Sequence, residues 1–260
     1  MTESKVQDWI VLTGAAGHLG QEIAARIVRA GGRVFATDVI EKSAELAAMQ
    51  DSFKPGQFKY SAGNLSDHTF LTELIDTASK ECSPLMGLVN NAAYVGTSKI
   101  VGWGSELGPE ALSAWNAVMH LNLTVPLILS QGLSRHFRPY SSIVNIGSVY
   151  GVVAPSWRLY EGTSMINPAA YGVSKAGLIQ LTRWLSSVMS PVTRVNCVSP
   201  GGIERAGQTE LFRQRYVDMT HLKSMATEAE VAKAVMFFLS SDSGYVTGTN
   251  LMVDGGFTAS

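Results

Sequence analysis

The sequence predicts an α/β fold: one doubly wound sheet of about seven parallel strands with helices on both faces, in a single domain over residues 1–260. Three observations carry that prediction. Short β-rich runs alternate with segments of helical period, as expected when parallel strands are joined by crossovers that cover both faces of the sheet. A chain of 260 residues with 46% hydrophobic content can bury one large core, and an α/β unit of that size is commonly one domain. The connections are short, with neither repeats nor low-complexity linkers to divide the chain.

The elements follow in order. Trp9 to Thr13 (W-I-V-L-T) is the first strand. From Leu19 to Ala30, residues Leu19, Ile23, Ile27 and Ala30 form one helical stripe, which Gly31-Gly32 stops. Strands are predicted at Arg33 to Asp38, Gln57 to Ser61, Leu85 to Asn90, Ser142 to Gly147, Thr193 to Ser199 and Asn250 to Val253. Helices fill the gaps at Ser43 to Gln50, Asp67 to Glu81, Pro109 to His136, Ala169 to Met189, Glu210 to Met219 and Glu228 to Leu239. Two loops, Tyr94 to Gly108 and Gly151 to Pro168, are rich in Gly, Ser and Pro. In such folds ligands bind beyond the carboxyl ends of the strands, where long loops build the pocket.

Composition narrows the partners. A net charge of -1, from 20 basic and 21 acidic residues, argues against a nucleic-acid or membrane-surface binder, which needs a basic patch. A small-molecule partner is expected. No apolar run approaches a bilayer span and Met1 to Asp8 is polar, so a cytoplasmic protein is expected. Cys82 and Cys197 lack metal-ligand spacing and read as buried or inert thiols, and the five histidines are scattered; neither a disulfide nor a metal is assigned.

The chemistry concentrates at Tyr171-Gly-Val-Ser-Lys175, downstream of Ser148. A lysine four residues after a phenol lies one helical turn away, and its charge favours phenolate. Two unit charges about 4 Å apart at an effective dielectric of about 20 interact by roughly 4 kcal/mol, enough to bring a phenol from about 10 towards about 7. Tyr171 then becomes a usable acid/base. The turn Thr13-Gly-Ala-Ala-Gly-His-Leu-Gly20 follows a strand and opens a helix, so Gly14, Gly17 and Gly20, with Ala16, His18 and Leu19 between them, can admit a pyrophosphate to the helix N-terminus. Asp38 ends the second strand 24 positions after Gly14, where a carboxylate accepts from adenosine ribose hydroxyls and repels a 2'-phosphate. That combination points to NAD. Asn91, Ala92 and Ala93 after the fourth strand, and Asn64 with Leu65 after the third, complete the expected cofactor contacts.

Taken together, T-G-A-A-G-H-L-G from Thr13, Asp38, N-N-A-A from Asn90, Asn122, I-G-S at Ser148, Y-G-V-S-K from Tyr171, R-V-N-C-V-S-P-G-G-I from Arg194 and T-G-T-N-L-M-V-D-G-G from Thr247 resemble the short-chain dehydrogenase/reductase family over essentially the whole chain. The resemblance implies a Rossmann-type fold, with Tyr171 as general acid/base and Lys175 lowering its pKa and holding the nicotinamide ribose. It also implies that Ser148 orients the substrate oxygen, that Asn122 completes a proton relay, and that Pro200, Gly201 and Ile203 pack on nicotinamide. It implies a homotetramer or homodimer joined through the two long helices. The sequence departs from the family pattern in its G-x-x-G-x-x-G spacing, in Asn64 for an aspartate, in Arg205 for a threonine, and in the 23 positions separating Ser148 from Tyr171.

The extra residues before Tyr171 carry Trp157, Arg158, Tyr160 and Glu161, and the earlier loop carries Lys99 and Trp103. Aromatic faces beside a guanidinium suit a sugar ring or an anionic handle, which makes Arg158 and Tyr160 the substrate candidates. There is a fainter resemblance to members associated with bacterial surface sugars and flagellin glycosylation. The expected activity is hydride transfer between NAD(H) and a secondary alcohol or ketone of a polar small molecule. The alternatives are a sugar-nucleotide epimerase or dehydratase, suggested by the glycine spacing, and an NAD(H)-binding module without turnover.

Overall fold

The computed structural model describes residues 9–95, 109–163 and 165–259. Seven strands form one parallel sheet: β1 (Trp9–Thr13), β2 (Arg33–Asp38), β3 (Phe58–Ala62), β4 (Leu85–Asn90), β5 (Phe137–Ile146), β6 (Thr193–Pro200) and β7 (Asn250–Val253). Their order across the sheet is β3-β2-β1-β4-β5-β6-β7. Chain direction of growth reverses between β1 and β4, so a crevice opens beyond their carboxyl ends. The helices are α1 (His18–Arg29), α2 (Ser43–Ser52), α3 (His68–Glu81), α4 (Pro109–Met119), α5 (Val125–Gly132), α6 (Ala169–Met189), α7 (Glu210–Met219) and α8 (Glu228–Leu239).

Strand alternation divides the core in two. Ile10 and Leu12 of β1 face a cluster built with Ile23 and Ile27 of α1 and with Val231, Val235 and Phe238 of α8. Trp9 and Val11 face the other cluster, with Leu71 and Leu74 of α3, Leu129 of α5 and Leu185 of α6. Because both faces are covered, β1 is buried at every position. A third cluster joins Val149, Leu159, Phe212, Tyr216, Met225 and Phe257, and so packs the segment before α6 against α7 and the C-terminal residues.

Three expectations are corrected. Strand β5 begins at Phe137 rather than Ser142, and its early part runs through a register irregularity against β4, with Tyr140 at φ 67°. The predicted continuous helix from Pro109 to His136 is also interrupted. Pro126 has no N–H for the carbonyl of Asn122 four residues back, and the chain accommodates this with a π-turn over His120–Thr124, closed by Val125 N–H donating to the carbonyl of His120. The stretch Ala111–Gly132 also has the length and hydropathy of a membrane span, contrary to the reading of the sequence. It packs along α6 instead, with Asn122 turned inward.

Candidate active site

The ends of the central strands open onto a cleft of about 430 Å³. Gly14, Gly17, His18, Leu19 and Gly20 line it from the first turn, Asp38 from β2, and Asn64 and Leu65 from the segment after β3. Asn91, Ala92 and Ala93 line it after β4, Tyr171 and Lys175 from α6, and Ile203 after β6. The structure thus brings most of the predicted cofactor residues together. Ala16, Pro200 and Gly201 are exceptions. Ala16 is buried and its N–H donates to Asp38 Oδ2 at 2.9 Å; Pro200 ends β6, and Gly201 N–H donates to the Val253 carbonyl at 2.9 Å.

The glycine-rich turn is shaped by close packing. Gly14 has φ +64°, and a Cβ there would lie 2.9 Å from the backbone of Ala92. A Cβ on Gly20 would meet the Gly14 carbonyl oxygen at 2.2 Å, so α1 starts tight against the turn. The Thr13 hydroxyl accepts from the N–H groups of Asn91 and Ala92, both at 3.0 Å, and Asn91 Nδ2 donates to the carbonyls of Thr13 and Gly14. Asn91 therefore staples β1 to β4. No side chain caps the N-terminus of α1, where Gly17 is the cap residue, and its first-turn residues face the cleft. Uncapped N–H groups, closely approached glycines and a carboxylate at the end of β2 fit the pyrophosphate and ribose of a nicotinamide dinucleotide.

At the other end of the cleft, Tyr171 sits in the first turn of α6 with Lys175 one turn on. Ser148, buried in the turn after β5, stands beside the Tyr171 hydroxyl, where its own hydroxyl favours the ionised phenol. The expected lowering of the phenol by Lys175 is not what the structure gives. Burial pushes the Tyr171 phenol above its ordinary value, with the Ser148 hydroxyl pulling it partly back and nearby Tyr160 opposing ionisation. The ring keeps some exposure, but the surroundings of the hydroxyl are dense enough for desolvation to dominate. Lys175 Nζ donates to the Ile146 carbonyl at 2.7 Å and stands 5.9 Å from the Tyr171 ring centroid. Its own burial pulls it down to about 8. Sequence spacing alone had omitted desolvation, which acts on both partners.

Asn122 lies at the centre of the π-turn, 1% exposed. Its Oδ1 accepts from Tyr94 N–H at 2.8 Å, and its Nδ2 donates to the Tyr94 carbonyl at 3.1 Å and to Ser174 Oγ at 3.2 Å. The side chain is thus committed to holding the segment after β4 against α6. The carbonyl loses its helical partner to Pro126. Of the substrate candidates, Arg158 is exposed on a one-turn helix at Trp157–Leu159, while Tyr160 donates to the Tyr150 hydroxyl at 2.7 Å and accepts from Asn167 Nδ2 at 3.2 Å. Lys99 and Trp103 lie outside the described residues. Tyr150 and Asn167, which the sequence reading missed, form a polar patch with Tyr160 near Tyr171, and Asn167 Oδ1 is buried with no hydrogen-bond partner. The signal was the density of aromatic residues flanking Ser148 and the extra segment.

Comparison with known proteins agrees with this geometry. Residues 14–258 match the family model described as enoyl-(acyl carrier protein) reductase. The chain is 28% identical over 265 residues to post-translational flagellin modification protein A of Campylobacter coli, covering 99% of each chain. It is 30% identical over 265 residues to 2-(S)-hydroxypropyl-CoM dehydrogenase 3 of Xanthobacter autotrophicus, covering 96% of each. A crystal structure of a short-chain dehydrogenase from Leptospira borgpetersenii with bound NAD+ superposes with a TM-score of 0.79 at 30% identity, covering 98% of this chain and 94% of that one. With its parallel sheet and with its glycine turn, Tyr171 and Lys175 at one cleft, the chain belongs to the short-chain dehydrogenase/reductase family of oxidoreductases.

Proposed function

We propose that this protein is an NAD-dependent dehydrogenase/reductase that moves hydride between NAD(H) and a secondary alcohol or ketone of a polar small molecule, working as a cytoplasmic homotetramer. The observation that carries the reading is the cleft that holds Tyr171, Lys175 one turn on, the glycine turn and Asp38, with Ser148 beside the Tyr171 hydroxyl. When bound, the nicotinamide supplies or accepts the hydride. Tyr171 holds the proton. Because burial raises its phenol, it stays protonated at neutral pH and can donate to an alkoxide forming within reach; Ser148 stabilises the same oxygen as its charge grows. In the oxidative direction the phenol must first release its proton to solvent, and the phenolate then takes the proton of the alcohol.

Asp38 supports NAD, since a carboxylate lining the cleft at the end of β2 repels a 2'-phosphate. A polar substrate, sugar-derived or otherwise carrying hydroxyl or anionic groups, suits the patch of Tyr150, Tyr160 and Asn167 beside Tyr171. The relatives' names fit this, one being a flagellin modification protein and another a dehydrogenase of a hydroxypropyl compound. They do not favour an epimerase or dehydratase. The test is a screen of secondary alcohols, sugars and their keto forms with NAD+ and NADH, read by nicotinamide absorbance. Turnover of a hydroxylated or anionic member with NAD(H) is expected; binding of NADH with no turnover of any member would leave a dinucleotide-binding module instead.

A further inference from the structure

We propose that Arg205 is a side-chain anchor for the cofactor's pyrophosphate, adding a fixed positive charge to the backbone N–H groups of the glycine turn. The inference rests on the dinucleotide reading above and goes beyond it, because that reading gave the pyrophosphate only the backbone N–H groups of the glycine turn. Among the described lining residues, Lys175 and Arg205 are the lysine and arginine side chains of the cleft. Lys175 is 3% exposed and committed to the Ile146 carbonyl. Arg205, with 32% of its side chain exposed, remains open to a ligand.

Its position is built rather than incidental. Ile203 bridges to Ala226, and Glu204 N–H donates to the Ala226 carbonyl at 2.9 Å. Gln208 braces the same segment twice, its Oε1 accepting from Arg205 N–H and its Nε2 donating to the Ile203 carbonyl, each at 3.0 Å. The guanidinium then rests one nitrogen, Nη1, on Glu228 Oε1 at 3.0 Å. A guanidinium carries five N–H donors in a planar fork, so one carboxylate contact leaves donors for a second anion, and a phosphate matches that fork. A pyrophosphate entering this cleft also meets the like charge of Asp38, and Arg205 is the group able to offset it.

Calorimetric binding of ADP and adenosine to the full-length chain separates the possibilities, with Arg205→Thr, Arg205→Lys and Glu228→Gln compared with wild type. ADP carries the pyrophosphate and adenosine does not. We expect Arg205→Thr to weaken ADP by about tenfold or more while adenosine changes by less than about twofold, with Arg205→Lys intermediate. The salt dependence of ADP binding should flatten in Arg205→Thr. Glu228→Gln should not weaken ADP. An unchanged ADP affinity in Arg205→Thr overturns the proposal, and if Michaelis constants for anionic substrates rise in its place, Arg205 serves the substrate. Parallel losses of ADP and adenosine in both Arg205→Thr and Glu228→Gln overturn it too, since the ion pair would then be a structural brace. Failure of wild type to bind either nucleoside removes the dinucleotide reading itself.

Discussion

The Tyr171 hydroxyl shows how burial and charge compete at one atom. Desolvation wins there, so the phenol is a reservoir of one proton rather than a preformed phenolate. Tyr171→Phe removes that proton and the Ser148 contact while leaving the glycine turn intact; turnover should fall by about a thousandfold or more, with NADH affinity within a few-fold of wild type by fluorescence titration. Retained turnover would take the acid/base role from Tyr171. Lys175 yields a stability prediction with a definite sign. Its folded pKa of about 8 lies below its ordinary value of 10.5, so between those limits the unfolded chain binds more protons and stability rises with pH. Lys175→Met abolishes this dependence. In urea titrations the stability of wild type relative to Lys175→Met should therefore climb from pH 8 to pH 10 and be flat below pH 7, where both states carry the charge. A difference that falls over the upper range would contradict the burial of an ammonium. At Asp38, replacement by Asn keeps an oxygen to accept from Ala16 or Val39 N–H but removes the repulsion of a 2'-phosphate. The ratio of kcat/KM for NAD+ over NADP+ should fall by about tenfold or more, and an unchanged ratio would place the ribose contact elsewhere.

At the scale of elements, the π-turn between α4 and α5 carries Asn122, buried, at the point where Pro126 interrupts the helical hydrogen bonds. Asn122→Ala would leave the N–H and carbonyl of Tyr94 without their partner, and about 1–3 kcal/mol of stability should be lost in urea unfolding. Asn122→Asp keeps the acceptor for Tyr94 N–H, so it should recover part of that loss; equal effects of Ala and Asp would mean that the Tyr94 contact carries little. Much of this level was legible in the chain. The β2 and β4 boundaries read from apolar runs agree residue for residue, and Asp67 and Thr227 mark helix starts by capping α3 and α8 with their side chains. The π-turn escaped because hydrophobic period continues through it, and only Pro126 betrays the break. The early part of β5 escaped because Arg138, Pro139 and Tyr140 look like loop residues; pairing of Phe137 with Leu85 makes them strand. In the site, the glycine turn, Asp38, Tyr171 and Lys175, all read from motif spacing, line one cleft, and Ser148 stands behind it beside the Tyr171 hydroxyl. Spacing did not reveal that Asn91 is spent on Thr13 and Gly14, or that Tyr150 and Asn167 join Tyr160, since those contacts depend on how distant segments meet.

For the whole molecule, the surface argues for assembly. Val173, Trp184 and Val188 stand on one exposed stripe of α6, at 45%, 49% and 55% exposure, and Leu112 of α4 is exposed on the neighbouring helix. A lone chain would leave that stripe wet, whereas a two-fold axis beside it lets each copy bury the other's apolar side chains. A tetramer with dihedral symmetry needs a second, different self-complementary face. The sheet supplies a candidate at its β7 edge, where among the described residues the strand pairs with β6 alone and where Leu251, Phe237 of α8 and Tyr245 are exposed. The two faces make the proposed homotetramer separable into steps. Wild type should run at four chain masses by light scattering, and Trp184→Glu with Val188→Glu, which places carboxylates on the α6 stripe of every copy, should run at two, held by the β7 face. Adding Tyr245→Glu and Phe237→Glu should carry the dimer to monomers without loss of helical content by circular dichroism, because none of the four side chains belongs to the buried core. Four chain masses persisting in the α6 variant would move the interface off that helix, and a monomeric wild type would remove assembly from the proposal while leaving the chemistry of each cleft intact.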